Sequence, residues 1–385
     1  MALDFANASS FLSFPETAYA ASMNTLHQIF AKPLPSSGCG KSFADDTTTT
    51  TETEIEIEIE TEETTKKKKR RYRIHLPPSY TAHAARPAIF VLHGANQTAA
   101  EIERITQFSD PGINPYGIAV YPEMALQEEE EGGGGGEGKG DEMRFLEAVL
   151  DDVEGKFCVD RNRIYGAGFG DGGGLLGCLG KLGSRAAAVA VVSGRFDGAC
   201  GKDGDGDGDE NENENENSRI RSRMPFLEIH GDRDTVAPYE GTQSNDTLPI
   251  RQILDQMLQL NGCGAPEEDS GTTIPGLAGA DSNSTHVYNG GAVVRYSWTC
   301  AQVEQVVENF VVKGLGHGWP STTALPSALE VLRRGPTSWN ASQVISEWFG
   351  RWALCDGSAC PGAERPRETR RGLLVDGERM PWIAG

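Results

Sequence analysis

Short apolar runs alternate with segments of helical periodicity along much of this 385-residue chain. The apolar runs predict buried strands at PAIFVLHG (87–94), GIAVYP (117–122), RIYGAG (163–168), AAVAVVSG (187–194), PFLEIHG (225–231) and VENFVVKGLGH (307–317). Apolar residues at helical spacing predict helices at 143–157, 173–183, 250–260 and 341–354. Strands that alternate with helices are typical of a mostly parallel sheet flanked by helices. The pattern therefore predicts an α/β fold.

Three acidic low-complexity tracts interrupt this pattern, at 52–63, 128–142 and 202–216. They hold most of the formal net charge of -21, so the rest of the chain is nearly neutral. Segments with little apolar surface cannot offset the entropy lost on ordering, and we expect the three tracts to be disordered. This charge pattern does not favour nucleic acid as a partner. No stretch is long and apolar enough to predict a membrane span.

The first tract also supports a second interpretation, because glutamate and isoleucine alternate along TEIEIEIE (53–60). Such alternation is typical of an edge strand with one solvated face. A hairpin with RRYRIHLP (70–77), across the TTKKKK segment, is then expected.

These features divide the chain into three predicted parts. Residues 37–355 form one domain, residues 1–36 an N-terminal extension that is disordered or misassigned, and residues 356–385 a C-terminal tail. Low-complexity inserts in the domain are predicted at 43–69, 127–142 and 201–218. The first residues lack the basic region and the unbroken apolar run of a secretory signal peptide.

The eight cysteines contain no CxxC pair and no histidine-rich cluster accompanies them, so a zinc site is not expected. Their even number, together with five N-x-[ST] triplets, suits an extracellular glycoprotein with disulfides. The triplets begin at Asn7, Asn96, Asn245, Asn283 and Asn340. An Asp-Gly repeat at 203–214 matches the calcium-loop pattern, but it lacks the flanking amphipathic helices of such a loop. We therefore predict no metal site.

A strand, a glycine-rich turn and the start of a helix are predicted along RNRIYGAGFGDGGGLLGCLGKLG (161–183). One interpretation is a dinucleotide-binding loop, since Gly168, Gly170 and Gly173 satisfy the GxGxxG pattern. Against it, this strand is the third or later of the predicted sheet. The other interpretation is the nucleophile elbow of an α/β-hydrolase, which needs small residues on both sides of the nucleophile. In that frame Gly168 and Gly172 are the small residues and Gly170 occupies the nucleophile position.

Two polar residues that follow predicted strands favour the second interpretation. Asp234 comes just after PFLEIHG, and His317 comes after the last strand. The order of nucleophile position, acid and base is then that of an α/β-hydrolase. The carboxylate would hold the histidine in one tautomer and stabilise its protonated form.

Candidate oxyanion donors follow an early strand. The backbone amides near Gly94 and Ala95, at the end of VLHG, are predicted to form an oxyanion hole with the amide of Asp171. Neither nearby polar residue replaces the nucleophile. Centring the turn on Asp171 puts Phe169 where a small residue is required, and Ser193 follows a strand without elbow glycines.

Taken together, seven segments resemble fungal feruloyl esterases and the related polyhydroxybutyrate-depolymerase-like esterases. They are SGCGK, YRIHLPPSY, VLHG, FCVDRNRIYGAGFGDGGG, IHGDRDTVAPY, WTC and GLGHGWP, between about Ser37 and about Leu354. The resemblance implies an α/β-hydrolase fold and a secreted serine hydrolase that needs no cofactor and releases ferulate from plant cell-wall polysaccharide.

The resemblance also implies roles for single residues. Asp234 would be the triad acid and His317 the base, while the HG pair that ends in Gly94 marks the oxyanion region. The segments NGC and WTC imply a disulfide between Cys263 and Cys300. The family carries a serine where this chain has Gly170.

We therefore expect a feruloyl esterase-like hydrolase, acting on feruloylated xylan or a small phenolic ester, whose hydrolysis is lost or severely reduced. An alternative is a protein that binds such glycans or phenolic esters in the same cleft without cleaving them. A third is a misread codon at position 170, which resequencing would decide. The resemblance implies an extracellular location, and the oligomeric state is not predicted.

Overall fold

The computed structural model describes most of the predicted domain. The described residues are 32–41, 52–61, 64–125, 139–177, 185–197, 224–242, 247–261, 263, 284–288, 291–300, 303–325, 327–335, 338–354, 374–375 and 378–379. The chain divides into two compact units, Pro33–Leu354 and a second made of Met1–Lys32 with Cys355–Gly385. In the second unit, the described residues form two short antiparallel strands, Leu374–Val375 and Glu378–Arg379. The predicted insert at 201–218, which contains the calcium-loop pattern, lies outside the described residues.

Helices α1 to α6 and strands β1 to β10 make up the described secondary structure of the Pro33–Leu354 unit. The helices are Ala99–Thr106, Lys139–Lys156, Gly170–Gly177, Ile250–Leu260, Ser327–Arg333 and Ala341–Phe349. The strands are Glu52–Thr61, Thr64–His75, Arg86–Leu92, Ile118–Pro122, Val159–Phe169, Ala188–Val192, Phe226–Gly231, Ser284–Tyr288, Val293–Cys300 and Val303–Val312. No helix in this described part of the chain is long and apolar enough to cross a membrane.

These strands form one sheet in the order β1-β2-β4-β3-β5-β6-β7-β10-β9-β8. In this spatial order, the six strands β4-β3-β5-β6-β7-β10 run parallel to one another. The strand pairs on either side of these six are antiparallel. Each predicted apolar run overlaps a strand, and the prediction of a mostly parallel sheet flanked by helices is confirmed. Because parallel strands end at the same edge of a sheet, residues that follow β3, β5, β7 and β10 come close together.

The central strands are buried on both faces. On β3, Ala88, Phe90 and Leu92 face one core, while Ile89 and Val91 face the other. Helices α2 and α4 pack on the first core, and α1 and α6 pack on the second. This double burial explains why these strands are continuous apolar runs rather than alternating ones.

The first acidic tract forms an edge strand, so the prediction that it is disordered is wrong for Glu52–Thr61. The strand pairs antiparallel with β2, as the hairpin interpretation predicts, and Ile55 lies buried opposite Tyr72. On the other face the exposed Glu56 pairs with Lys69 at 2.6 Å. Alternation therefore supplies one apolar face, which is enough to hold the strand on the sheet.

The second acidic tract also ends in ordered structure. Helix α2 begins at Lys139, before its predicted start at residue 143. Glu142 in its first turn is buried and accepts hydrogen bonds from Arg70 at 3.0 and 3.1 Å. The disorder prediction is therefore wrong for residues 139–142, since a paired carboxylate can be buried. Residues 126–138 lie outside the described part.

Two disulfides join described residues. Cys263 is bonded to Cys300, which is the pairing that the resemblance implies. Cys39 is bonded to Cys158, a pairing that the sequence did not predict. The second bond holds the segment before β1 against the start of β5, where Ser36 donates its amide proton to Val159 at 2.9 Å.

Replacing Cys263 and Cys300 together by serine is expected to lower the free energy of unfolding by about 3–4 kcal/mol. The bond closes a sequence separation of 37 residues and so restricts the unfolded chain. Urea unfolding of the variant and the wild type measures the difference, with the Cys39–Cys158 bond verified by mass spectrometry in both. A loss below about 1 kcal/mol would contradict this expectation.

Candidate active site

The glycine-rich turn joins β5 directly to α3. Strand β5 ends at Phe169 and the helix begins at Gly170, whose φ is +54°. A Cβ on Gly168 would lie 2.7 Å from the carbonyl oxygen of Gly172, and one on Gly172 would collide with the carbonyl oxygen of His93. Both positions therefore exclude side chains, which is the requirement of a nucleophile elbow.

The same contacts argue against the dinucleotide interpretation of the turn. A Cβ on Gly173 would lie 2.7 Å from a side-chain carbon of Val191, and one on Gly174 would collide with the carbonyl oxygen of Arg195. The glycines are thus required by neighbouring parts of the protein itself, and no phosphate is needed to explain them.

At the apex of the turn, Gly170 faces His317. A Cβ on Gly170 would lie 3.4 Å from His317 Nε2 and 3.6 Å from the Cα of Gly94, both ordinary contact distances. A small side chain at this position would therefore point at the imidazole ring. Glycine leaves the position without a nucleophilic atom.

The histidine is held by the acid that the sequence singles out. His317 Nδ1 lies 2.8 Å from Asp234 Oδ2. Asp234 Oδ1 accepts hydrogen bonds from the amides of Val236 and Ala237 at 2.9 and 2.8 Å. Burial raises the pKa of the Asp234 carboxyl, but hydrogen bonds and charges from His230 and His317 outweigh it and hold the pKa below its usual range. The carboxylate is therefore ionised and its orientation is fixed.

Contacts from three elements hold the loop that carries His317. The amide of Gly316 donates to the carbonyl oxygen of Arg333 at 2.6 Å, and the ring of Phe169 lies 4.9 Å from the imidazole ring. Ser193 is fully buried, and its hydroxyl donates to the carbonyl oxygen of Gly318 at 3.2 Å. Its burial and its hydrogen bond make Ser193 a support of the loop rather than a nucleophile.

Side chains engage both of the amides that the sequence predicts as oxyanion donors at the end of β3. The Gly94 amide donates to Gln97 Oε1 at 3.0 Å, and the Ala95 amide donates to Asp171 Oδ2 at 3.4 Å. The third candidate, the amide of Asp171, lies in the first turn of α3, where N–H groups have no acceptor within the helix. Side-chain acceptors thus already hold the first two amides, and among the described residues none is seen at the third.

A buried histidine shapes the turn after β3. His93 Nε2 accepts the Met124 amide proton at 3.0 Å, so Nδ1 carries the hydrogen and donates to the Gly94 carbonyl at 2.8 Å. Burial lowers the pKa of His93, which keeps it neutral. His93 therefore fixes the position of Gly94 beside the elbow.

Three residues beside the site escaped the sequence analysis. Glu228 and His230 are fully buried next to Asp234, and Arg195 Nη1 lies 3.3 Å from Asp171 Oδ1. The sequence carries a signal for Glu228 and His230, because polar residues two positions apart on a buried strand face the same side of the sheet. Within the described residues, no group of three or more histidine, cysteine, aspartate or glutamate side chains is arranged to hold a metal ion.

The strand order, the glycine elbow after β5, the acid after β7 and the histidine after β10 define an α/β-hydrolase. No protein-family model matches the chain. "Probable feruloyl esterase C" of Aspergillus clavatus is 26% identical over 214 residues, which are 53% of this chain and 67% of that protein. "Feruloyl esterase D" of Neurospora crassa is 27% identical over 307 residues, 74% and 83% of the two chains.

Among solved structures, the acetyl xylan esterase from Aspergillus awamori gives a TM-score of 0.46 at 12% identity, over 78% of this chain and 99% of that one. The strand order thus gives the chain an α/β-hydrolase fold, and its sequence is similar to those of the two feruloyl esterases.

Proposed function

We propose that the chain is an esterase-type hydrolase for feruloylated plant polysaccharide or small phenolic esters, in which hydrolysis is lost or severely reduced. The observation that carries this proposal is the position of Gly170. A side chain there would point at His317 Nε2, while Asp234 holds Nδ1 of the same ring. The base and the acid are thus arranged around a residue that has no side-chain oxygen. The names of the feruloyl esterase relatives support the class of substrate.

This geometry identifies the step that is impaired. In a serine esterase, the hydroxyl attacks the ester carbonyl while the histidine takes its proton and passes it to the leaving alcohol. Position 170 offers no hydroxyl, so a covalent acyl intermediate cannot form there. Hydrolysis then requires a water molecule beside His317, whose proton moves to Nε2 and then to the leaving alcohol. In a well-studied serine protease, loss of the serine costs about a millionfold in kcat.

The side chain of Asp171 is a second obstacle to the same reaction. Its Oδ2 accepts the Ala95 amide proton, and Arg195 Nη1 lies 3.3 Å from its other oxygen. The Ala95 amide is one of the donors proposed for the oxyanion of the tetrahedral intermediate. A carboxylate at that donor competes with the oxyanion and repels it, so the hole is weakened as long as Asp171 stays charged.

Removing the charge of Asp171 is expected to raise the rate of ester hydrolysis in a variant that carries a serine at position 170. Adding Asp171→Asn or Asp171→Ala to Gly170→Ser should raise kcat/KM on methyl ferulate about tenfold over Gly170→Ser alone, because both remove the charge that repels the oxyanion, and Asp171→Ala also removes the acceptor that competes for the Ala95 amide. Asp171→Asn in the wild-type background is the control and should gain nothing. Equal rates for the single and double variants would show that Asp171 does not obstruct the hole.

A second candidate function is binding of the same ligands without cleavage, which the glycine at position 170 favours because binding needs no nucleophile. Turnover of methyl ferulate and calorimetric titration with a feruloylated oligosaccharide, performed on one purified sample, separate the two functions. Saturable binding with no turnover above that of the His317→Ala variant supports the binding function. Turnover that depends on His317 supports residual hydrolysis.

We propose an extracellular location for this function. The two disulfides among the described residues support it, because such bonds persist in oxidising compartments.

A further inference from the structure

A buried histidine lies behind the acid of the site. Glu228 and His230 alternate on β7 and are both fully buried, and Asp234 follows the same strand. His230 Nε2 lies 3.5 Å from Asp234 Oδ2, the oxygen that also binds His317. Two imidazole rings therefore share one carboxylate oxygen.

The partners of His230 decide its protonation. Nε2 lies 2.7 Å from the carbonyl oxygen of Ala237, which can only accept a hydrogen bond, so this nitrogen carries a hydrogen. Nδ1 lies 2.8 Å from Glu228 Oε1, which is an acceptor when the carboxyl is ionised. With acceptors at both nitrogens, the ring carries two hydrogens and a positive charge.

Burial raises the pKa of the Glu228 carboxyl, while the hydrogen bond to His230 and the charge of that ring oppose the rise, so the position of the proton they share decides the charge of both groups. Burial by itself lowers the pKa of His230, but the carboxylates of Glu228 and Asp234 outweigh burial and raise the pKa to about 10. The other titratable group against the ring is Tyr239, which packs edge-on at 5.7 Å and is neutral because burial raises its pKa. Its hydroxyl accepts a hydrogen bond from Asn309 at 2.6 Å.

We propose that His230 is a positioning residue that stays protonated and acts through Asp234 on His317. Its positive charge cancels the negative charge of Glu228, so the carboxylate of Asp234 remains the net charge of the buried cluster. The positive ring of His230 attracts the same Asp234 oxygen that binds His317. This second attraction limits how strongly Asp234 favours the protonated form of His317. The same contact, with the amides of Val236 and Ala237, fixes the plane of the carboxylate.

The first test uses the wild-type protein and needs no activity. Long-range proton–nitrogen NMR spectra of the histidine rings, recorded from about pH 5 to about pH 9, report the protonation of each nitrogen. We expect both nitrogens of His230 to remain protonated throughout. Spectra that show an unprotonated Nδ1, as they would if Glu228 held the proton, or a ring that titrates in this range, would overturn the proposal.

The second test rests on the proposed function and uses Gly170→Ser as the active background. Glu228→Gln with His230→Gln removes both buried charges together and leaves neither one unpaired. We expect the acidic limb of the pH–rate profile to move to higher pH by about one unit, with kcat lowered about tenfold and KM little changed. A purely structural role would lower kcat at every pH without moving the limb, and that result would overturn the proposal.

Tyr239→Phe is the matched control, because it alters a residue packed on His230 without changing a charge. It should leave the pH–rate profile in place. The two tests also separate this inference from the proposed function. If Gly170→Ser folds but hydrolyses nothing, the proposed function fails, and the NMR spectra of the wild type still decide the charge of His230.

Discussion

Gly170→Ser is expected to raise kcat/KM for methyl ferulate at least about a thousandfold over the wild-type chain. A Cβ at this position meets His317 Nε2 at 3.4 Å and no atom closer, so the new hydroxyl has room beside the base. The φ of +54° costs a non-glycine residue about 1–3 kcal/mol, a strain that serine esterases accept at their elbow. Initial rates on purified, folded protein measure the effect.

Gly170→Ala is the matched control for this substitution. It adds the same Cβ and the same backbone strain but no oxygen, so it should stay as inactive as the wild type. If Gly170→Ser folds and yet does not exceed Gly170→Ala, the cleft no longer supports ester hydrolysis. The binding function would then be favoured.

Removing the imidazole of His317 is expected to cancel the activity that Gly170→Ser gains. In the Gly170→Ser background, His317→Ala should return kcat to about the level of Gly170→Ala, because His317 Nε2 is the atom nearest to a side chain at position 170. Asp234→Asn should remove most of the gain in kcat, since it no longer holds the tautomer in which Nε2 accepts a proton. Activity that survives His317→Ala would exclude the triad geometry as its source.

The sheet could be predicted from the sequence because its central strands are buried on both faces. Runs such as that at Ala88–Leu92 then read as continuous apolar segments. The last two strands at one side of the sheet, β8 and β9, were missed, since a strand such as Val293–Cys300 mixes buried with partly exposed residues and carries no single pattern. The disorder expected for Glu52–Thr61 from its charge is wrong, because the alternating isoleucines give this segment an apolar face that its overall composition does not reveal.

The order of the site residues could also be predicted, since Gly170, Asp234 and His317 each follow a strand whose end lies at one edge of the sheet. Contacts between side chains could not. That Asp171 reaches the Ala95 amide depends on how the turns after β3 and β5 approach each other. The charge of His230 depends on which oxygens surround it after folding, and a sequence does not specify those distances.

Labelling by a serine-directed phosphonate, followed by intact-protein mass spectrometry, tests most directly whether the site lacks only its nucleophile. Gly170→Ser should gain one adduct, and peptide mapping should locate it at position 170, while the wild type and Gly170→Ala stay unlabelled. The adduct should disappear when His317→Ala is added. A labelled wild type, or a folded Gly170→Ser protein that takes no label, would contradict the assignment of Gly170, Asp234 and His317 as an esterase site without its serine.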